Sequence, residues 1–208
     1  MKLHCWILML CAGMVVTALA GCSKKEESAR SKATADSVKP AAAHGPATEA
    51  GQSTGTGLKF TAPTGWISVT PNLSMRTAQY RLPRVGGDLE DAEMVVYYFQ
   101  GGGGGVQANV DRWIGQFSNP DGSPANDVAK ISKKTIHGIP VTTVDVAGTY
   151  SGAMGPMGAS SEGKTNYRML AAVAEADNGP WFFKLTGPAK TVAKWEPSFQ
   201  SFIDSIQP

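Results

Sequence analysis

The stretch YRMLAAVAEADNGPWFFKLTGPAKTVAKWEPSFQSFIDSI, residues 167–206, decides the fold. Residues 167–176 and 180–186 are rich in aromatic, β-branched and small apolar side chains, and they flank Asp177-Asn178-Gly179. Asn-Gly is a favoured pair in tight turns between antiparallel strands, so the two runs read as a hairpin. After Gly187-Pro188 the period changes. Val192, Trp195, Phe199, Phe202 and Ile203 follow at spacings of 3, 4, 3 and 1, which puts them on one face of a helix. Pro197 falls inside this segment and predicts a first turn or a kink, because it has no N–H to donate. A hairpin with an apolar face followed by a one-faced helix calls for helix packed on sheet.

The rest of the chain extends this pattern in the N-terminal direction. Residues 129–136 and 140–150 form a second strand pair, turning at His137-Gly138. Between the two hairpins, residues 151–163 are a loop rich in Gly and Met. EMVVYYFQ, residues 93–100, is a strong strand that ends at the five glycines 101–105. Val106, Val110, Trp113, Ile114 and Phe117 then predict a helix over 106–117, stopped by Ser118-Asn119-Pro120-Asp121-Gly122. Shorter strands are expected at 58–62, 66–69 and 75–82. Strands outnumber helices and hairpins dominate the connections. The expected class is α+β, with a mostly antiparallel central sheet flanked by helices.

Three blocks carry a resemblance: FTAPTGW at 60–66, KTIHGIPVTTVDVAGTY at 134–150, and PWFFKLTGPAKTVAKWEPSFQSFIDSI at 180–206. Together they resemble the PsbP/Mog1-like superfamily across about residues 58–207. The closing block is the most suggestive, with Trp181, Phe182, Phe183, Gly187, Pro188, Phe199, Phe202, Ser205 and Ile206 in place. The resemblance implies an α/β/α sandwich. It also implies a role mostly without enzymatic activity, since the superfamily spans photosystem accessory proteins, a GTPase-binding factor and bacterial lipoproteins.

The N-terminus reads as an address. Lys2 and His4 precede an apolar run from Cys5 to Ala20, broken only by Gly13 and Thr17. That run is shorter than the roughly 20 residues of a membrane span and fits a signal sequence. It ends in Leu19-Ala20-Gly21-Cys22, which resembles the lipobox of bacterial lipoproteins. The resemblance implies cleavage between Gly21 and Cys22 and lipid on the Cys22 thiol. Ser23 after the cysteine implies the outer membrane, facing the periplasm, in a Gram-negative cell. Residues 1–21 are thus a signal peptide, 22–57 the lipidated cysteine with a flexible tether, and 58–208 one domain. Residues 23–57 hold no aromatic residue and a single bulky aliphatic one, Val38, too little apolar surface to offset the entropy of ordering.

Charge and cysteine use exclude whole classes of function. The chain carries a formal charge of +2, but residues 58–208 hold 13 basic and 13 acidic side chains. A neutral domain lacks the field that drives nucleic-acid binding. All three cysteines, Cys5, Cys11 and Cys22, precede the domain, which excludes an internal disulfide or cysteine nucleophile there.

Few residues suggest chemistry. His137 is the single histidine beyond residue 57, so a Ser-His-Asp hydrolase would have to use it. In a turn beside Gly138 it reads more simply as exposed and structural. Met154 and Met157, in GAMGPMG, offer soft thioethers suited to Cu(I). The glycines 101–105 precede a helix as a phosphate cradle does, but Val106-Gln107 follow where a P-loop has Lys-Ser/Thr. They read as a plain connection. Asp88, Glu90, Asp91 and Glu93 read as a solvated acidic loop, and Trp66, Trp113, Trp181 and Trp195 as core. His44 reads as a spacer residue. No cofactor is expected.

The functional expectation is a lipid-anchored envelope protein whose domain is a non-enzymatic binding or assembly module. Its partners would be the membrane, through Cys22, and an envelope protein or small ligand. The alternatives are an envelope hydrolase using His137 and a Cu(I) chaperone using Met154 and Met157.

Overall fold

The computed structural model describes residues 57–71, 73–100, 102–152 and 163–208. In chain order it contains β1 (Ile67–Ser68), β2 (Arg76–Leu82), β3 (Ala92–Tyr98), α1 (Val106–Ile114), β4 (Phe117–Ser118), β5 (Lys130–Ile136), β6 (Ile139–Tyr150), β7 (Lys164–Ala176), β8 (Gly179–Pro188) and α2 (Ala189–Asp204). The readings at Cys22, Gly21, His44 and the tether, and those at Met154 and Met157, lie outside the described residues.

The strands form one sheet in the order β1-β2-β3-β8-β7-β6-β4, with β5 also paired to β6. Every pairing is antiparallel. The predicted class therefore holds: α+β, a mostly antiparallel sheet with a helix on each face. The two hairpins read from sequence supply β5–β6 and β7–β8. Their turns differ in kind. His137 and Gly138 both take positive φ, 48° and 87°, as a two-residue type I′ turn requires. In the other turn the positive φ falls on Gly179, at 119°, and not on Asn178. The loop is thus Asp177-Asn178, closed by the Ala176–Gly179 pair.

Alternation along the central strands separates two cores. Trp181, Phe183 and Leu185 of β8 face α2, joined by Leu58, Phe60, Trp66, Tyr80, Phe199 and Phe202. Phe182 faces the other way, clustered with Val110 and Trp113 of α1 and with Val144, Met169 and Val173. Strand β7 is buried on both faces, which explains its nearly unbroken apolar run from Met169 to Ala174. Trp66, Trp113 and Trp181 are buried and Trp195 packs at the edge of the larger core, as the sequence indicated.

Four local expectations need correction. The first helix stops at Ile114, since Gly115 takes the C-cap; Phe117 is buried as its spacing suggested, but from strand β4, opposite Tyr150. The segment 58–62 makes a single bridge, Lys59 to Gln207, and not a strand. In that bridge Lys59 N–H donates to the Gln207 carbonyl at 2.9 Å and Gln207 N–H donates back at 2.9 Å. Gly187-Pro188 still belongs to β8, and α2 starts directly after it. The α2 helix runs unbroken through Pro197, in neither a first turn nor an interruption. The proline removes the partner of the Ala193 carbonyl, but both residues lie on the exposed side, where water can take that bond.

The acidic loop is also better partnered than its sequence implied. The Asp88 carboxylate accepts from Thr191 N–H at 2.9 Å and from its hydroxyl at 2.6 Å. It thereby caps α2, whose own preceding residue, Pro188, has no side-chain oxygen. Asp91 pairs with Arg81 at 2.6 Å, and the guanidinium beside it, with the Arg84 N–H, holds its carboxyl below the usual range.

Candidate functional site

Helix α1 covers only part of its face of the sheet. Beyond Phe182, which meets Trp113 edge-on at 6.2 Å, the next two residues of β8 on that face are Lys184 and Thr186. Register places Lys184 beside Val95 of β3 and Ala171 of β7, and Thr186 beside Glu93 and Met169. A cavity of about 410 Å³ opens here, within the size range of small-ligand sites. Its walls include Tyr97, Tyr150 and Tyr167, with Arg76, Glu93 and Lys164 around them.

Lys184 stands apart from the other cations of this cavity. Arg76 pairs with Glu93 at 3.0 Å, and Lys164 pairs with Glu90 at 2.7 Å. The Lys184 ammonium instead donates to the neutral Gln116 side chain at 2.6 Å and sits 5.4 Å from the Tyr150 ring centre. Burial, together with the nearby Arg112 charge and against the pull of Glu93, pushes its pKa down to about 8. Burial also raises the hydroxyl pKa values of Tyr97, Tyr150 and Tyr167. The bond from Lys164 draws the Glu90 pKa down, and Glu90 in turn raises that of Lys164.

A second feature marks the same wall. Among the described residues, three buried side-chain polar atoms lack a protein partner: Arg76 Nε, Gln79 Oε1 and Thr186 Oγ1. Arg76 and Thr186 line the cavity, and Gln79 bonds to its Glu93 at 2.7 Å. Buried polar groups are almost always satisfied, so the two at the cavity, Arg76 Nε and Thr186 Oγ1, are available to water or to the polar group of a ligand. Parallel rings of Tyr150 and Tyr167, 5.8 Å apart, stiffen the opposite side.

The buried amine makes stability depend on pH. A lysine with a folded pKa near 8 and an unfolded pKa near 10.4 is less protonated in the folded state between those values. Stability is therefore expected to rise from about pH 8 to 9.5, by at most about 1.4 kcal/mol per pH unit. The tyrosines, with raised pKa values, act in the opposite direction only above about pH 10. Urea unfolding of wild type and Lys184→Met across this range would check it. A rise of equal size in both proteins would assign the effect elsewhere.

His137 sits elsewhere. Its Nδ1 lies 2.8 Å from the Ile206 carbonyl, which can only accept, so Nδ1 donates. It lines a separate cavity of about 430 Å³ with Glu175 and Asp177, and no Ser or Cys is among the described residues there. The structure does not bring His137 to the tyrosine-lined cavity. Among the described residues, no group of three or more His, Cys, Asp or Glu side chains could hold a metal ion.

The glycine stretch is a connection, with its carbonyls turned inward. The buried Asn109 amide donates to the carbonyls of Gly103, Gly104 and Gly105 at 2.9, 3.3 and 3.0 Å, and Arg112 bonds to the Asn109 oxygen. Sequence reasoning missed Lys184, although WFFKLTG carries a signal: a charged residue between Phe183 and Leu185 in a strand with two apolar faces.

No known protein family matches the chain by sequence, and no curated protein matches it. Solved structures do. The chain is similar to a protein of unknown function, PA94, from Pseudomonas aeruginosa, at 14% identity and a TM-score of 0.43, over 77% of this chain and 98% of that one. It is also similar to cyanobacterial PsbP (CyanoP) from Synechocystis sp. PCC 6803, at 14% identity and a TM-score of 0.47, over 79% of this chain and 95% of that one.

Proposed function

We propose that this chain is a lipid-anchored cell-envelope protein whose PsbP/Mog1-like domain is a non-enzymatic binding module, taking a small ligand into the cavity beside Lys184. The observation that carries the reading is the convergence, among the described residues, of an ammonium without a carboxylate partner and two unmet buried polar atoms, Arg76 Nε and Thr186 Oγ1, on one patch of sheet. The non-enzymatic half of the reading rests on the resemblance to a superfamily mostly without enzymatic activity; among the described residues the cavity holds the Thr186 hydroxyl but no serine, cysteine or histidine beside Lys184. The lipid address is supported by Leu19-Ala20-Gly21-Cys22 and the polar tether behind it, and Ser23 favours the outer membrane in a Gram-negative cell. Among the described residues no helix is long and apolar enough to cross a membrane.

Two measurements test the two halves. Intact mass of the membrane-extracted protein is expected to show Cys22 as an acylated first residue, and Cys22→Ala is expected to leave the membrane fraction. Retention of residues 1–21 on an unacylated chain would refute the anchor. For the ligand, melting of the full chain in detergent is compared across small acids, neutral compounds and amines. A ligand at about 100 times its Kd contributes about 2.7 kcal/mol, or roughly 5–10 °C in a domain of this size. The rise is expected in wild type and not in Thr186→Trp or the smaller filler Thr186→Phe, each first shown to melt cooperatively. No rise with any compound, or the same rise in the filled variants, would rule out the cavity as a binding site.

A further inference from the structure

We infer that the ligand is a monocarboxylate with an aromatic body, its carboxylate seated on Lys184 and its ring against the edges of the cavity tyrosines. This rests on the binding reading above and narrows it to one chemical class. The charge count sets the sign and size. Lining the cavity, Arg76 is neutralised by Glu93 and Lys164 by Glu90, while Asp91 is held by Arg81. Among the described residues Lys184 is therefore left without a carboxylate of its own, with the Arg112 charge, bonded to neutral Asn109, adding to the positive field beside it, and one of its three N–H donors is used on Gln116. A single negative charge matches that site. A phosphate dianion would add surplus charge near Glu90 and Glu93, and the wall offers no helix N-terminus to spread it, the glycine carbonyls before α1 being turned to Asn109.

The walls set the body. Val95 presents apolar surface, and Tyr97, Tyr150 and Tyr167, with Arg76, Lys184 and Lys164 over their rings, leave their edges to a planar ring, which gains there from edge contact. Thr186 Oγ1 and Arg76 Nε can then meet the second carboxylate oxygen or a ring hydroxyl. An amine ligand would face the Lys184 charge directly and find both nearby glutamates engaged. Binding of the anion would hold the Lys184 proton in place, so affinity is expected to fall as pH rises past about 8.

The test is calorimetry on the full chain in detergent with three probes of one shape: benzoate, benzamide and benzylamine. At pH 7 benzoate is expected to bind at least tenfold more tightly than benzamide, with no binding of benzylamine. Lys184→Met is expected to melt no lower than wild type, since it removes a buried charge, and to lose at least tenfold in benzoate affinity while benzamide stays unchanged. Lys184→Gln serves as a second variant. Equal binding of benzoate and benzamide, binding of benzylamine, or unchanged benzoate affinity in both folded variants would overturn the inference. So would the failure of all three probes. If neutral compounds or amines then still raised the melting temperature in wild type and not in the Thr186-filled variants, the binding module would stand without this ligand class. If no compound did, both would fall.

Discussion

Phe202→Ala is expected to cost about 3–5 kcal/mol, enough to lower the melting temperature by about 10 °C or more. Phe202 is fully buried at the junction of α2, the sheet and the N-terminal segment. Its ring meets Trp66 at 4.9 Å, Phe60 at 5.2 Å, Phe183 at 5.8 Å and Tyr80 at 6.2 Å. These four rings come from four separate parts of the chain, so none can move into the space without abandoning other contacts. The cost should therefore sit at the high end, where collapse around the hole is small. Urea unfolding would show it as a lower midpoint with an unchanged slope. A loss under about 1 kcal/mol would mean that the rings can rearrange and that this core is softer than its geometry indicates.

Gly187→Ala is expected to destabilise by about 2–3 kcal/mol, although most glycines in a strand gain from the same change. Gly187 is buried in β8, and a Cβ there would lie 2.6 Å from the Ala92 Cβ and 2.7 Å from its Cα. The second of these is backbone of β3, which cannot swing aside as a side chain would. Replacing glycine in an extended strand otherwise recovers roughly 0.5–1 kcal/mol of chain entropy. Overpacking costs typically about 1–3 kcal/mol, and the clash falls on two paired strands at once. The sign of the change in midpoint decides between the two effects: stabilisation would show that β3 and β8 separate freely here. Because Gly187 also lines the tyrosine-walled cavity, a destabilised but folded variant should bind benzoate less well.

The reading from sequence was strongest where one residue type permits one geometry. His137-Gly138 and Asp177-Asn178-Gly179 marked both central hairpins, since few side chains accept positive φ. The apolar stripe from Val192 to Ile203 marked α2 and its buried face. Legibility failed at boundaries. Phe117 continued the helical spacing, but Gly115 released the chain into β4 while keeping the ring buried. Pro197 suggested an interruption that the surrounding apolar face overrode. The candidate site was the least legible part. Its tyrosines and Lys184 come from β3, β6, β7 and β8, and only the register of the sheet puts them side by side. Asp88 likewise looked solvated because its partner, Thr191, lies 103 positions away.

The bridge between Lys59 and Gln207 has a topological corollary. It holds the first and last segments of the domain within hydrogen-bonding distance, so the sheet does not depend on which covalent link is left open. A circularly permuted chain, sealed by a short connector from 207 to 59 and cut at Asp177, would trace the same strands in a different order. What the native order adds is direction: the polypeptide enters the domain through a seam that its own final residues close.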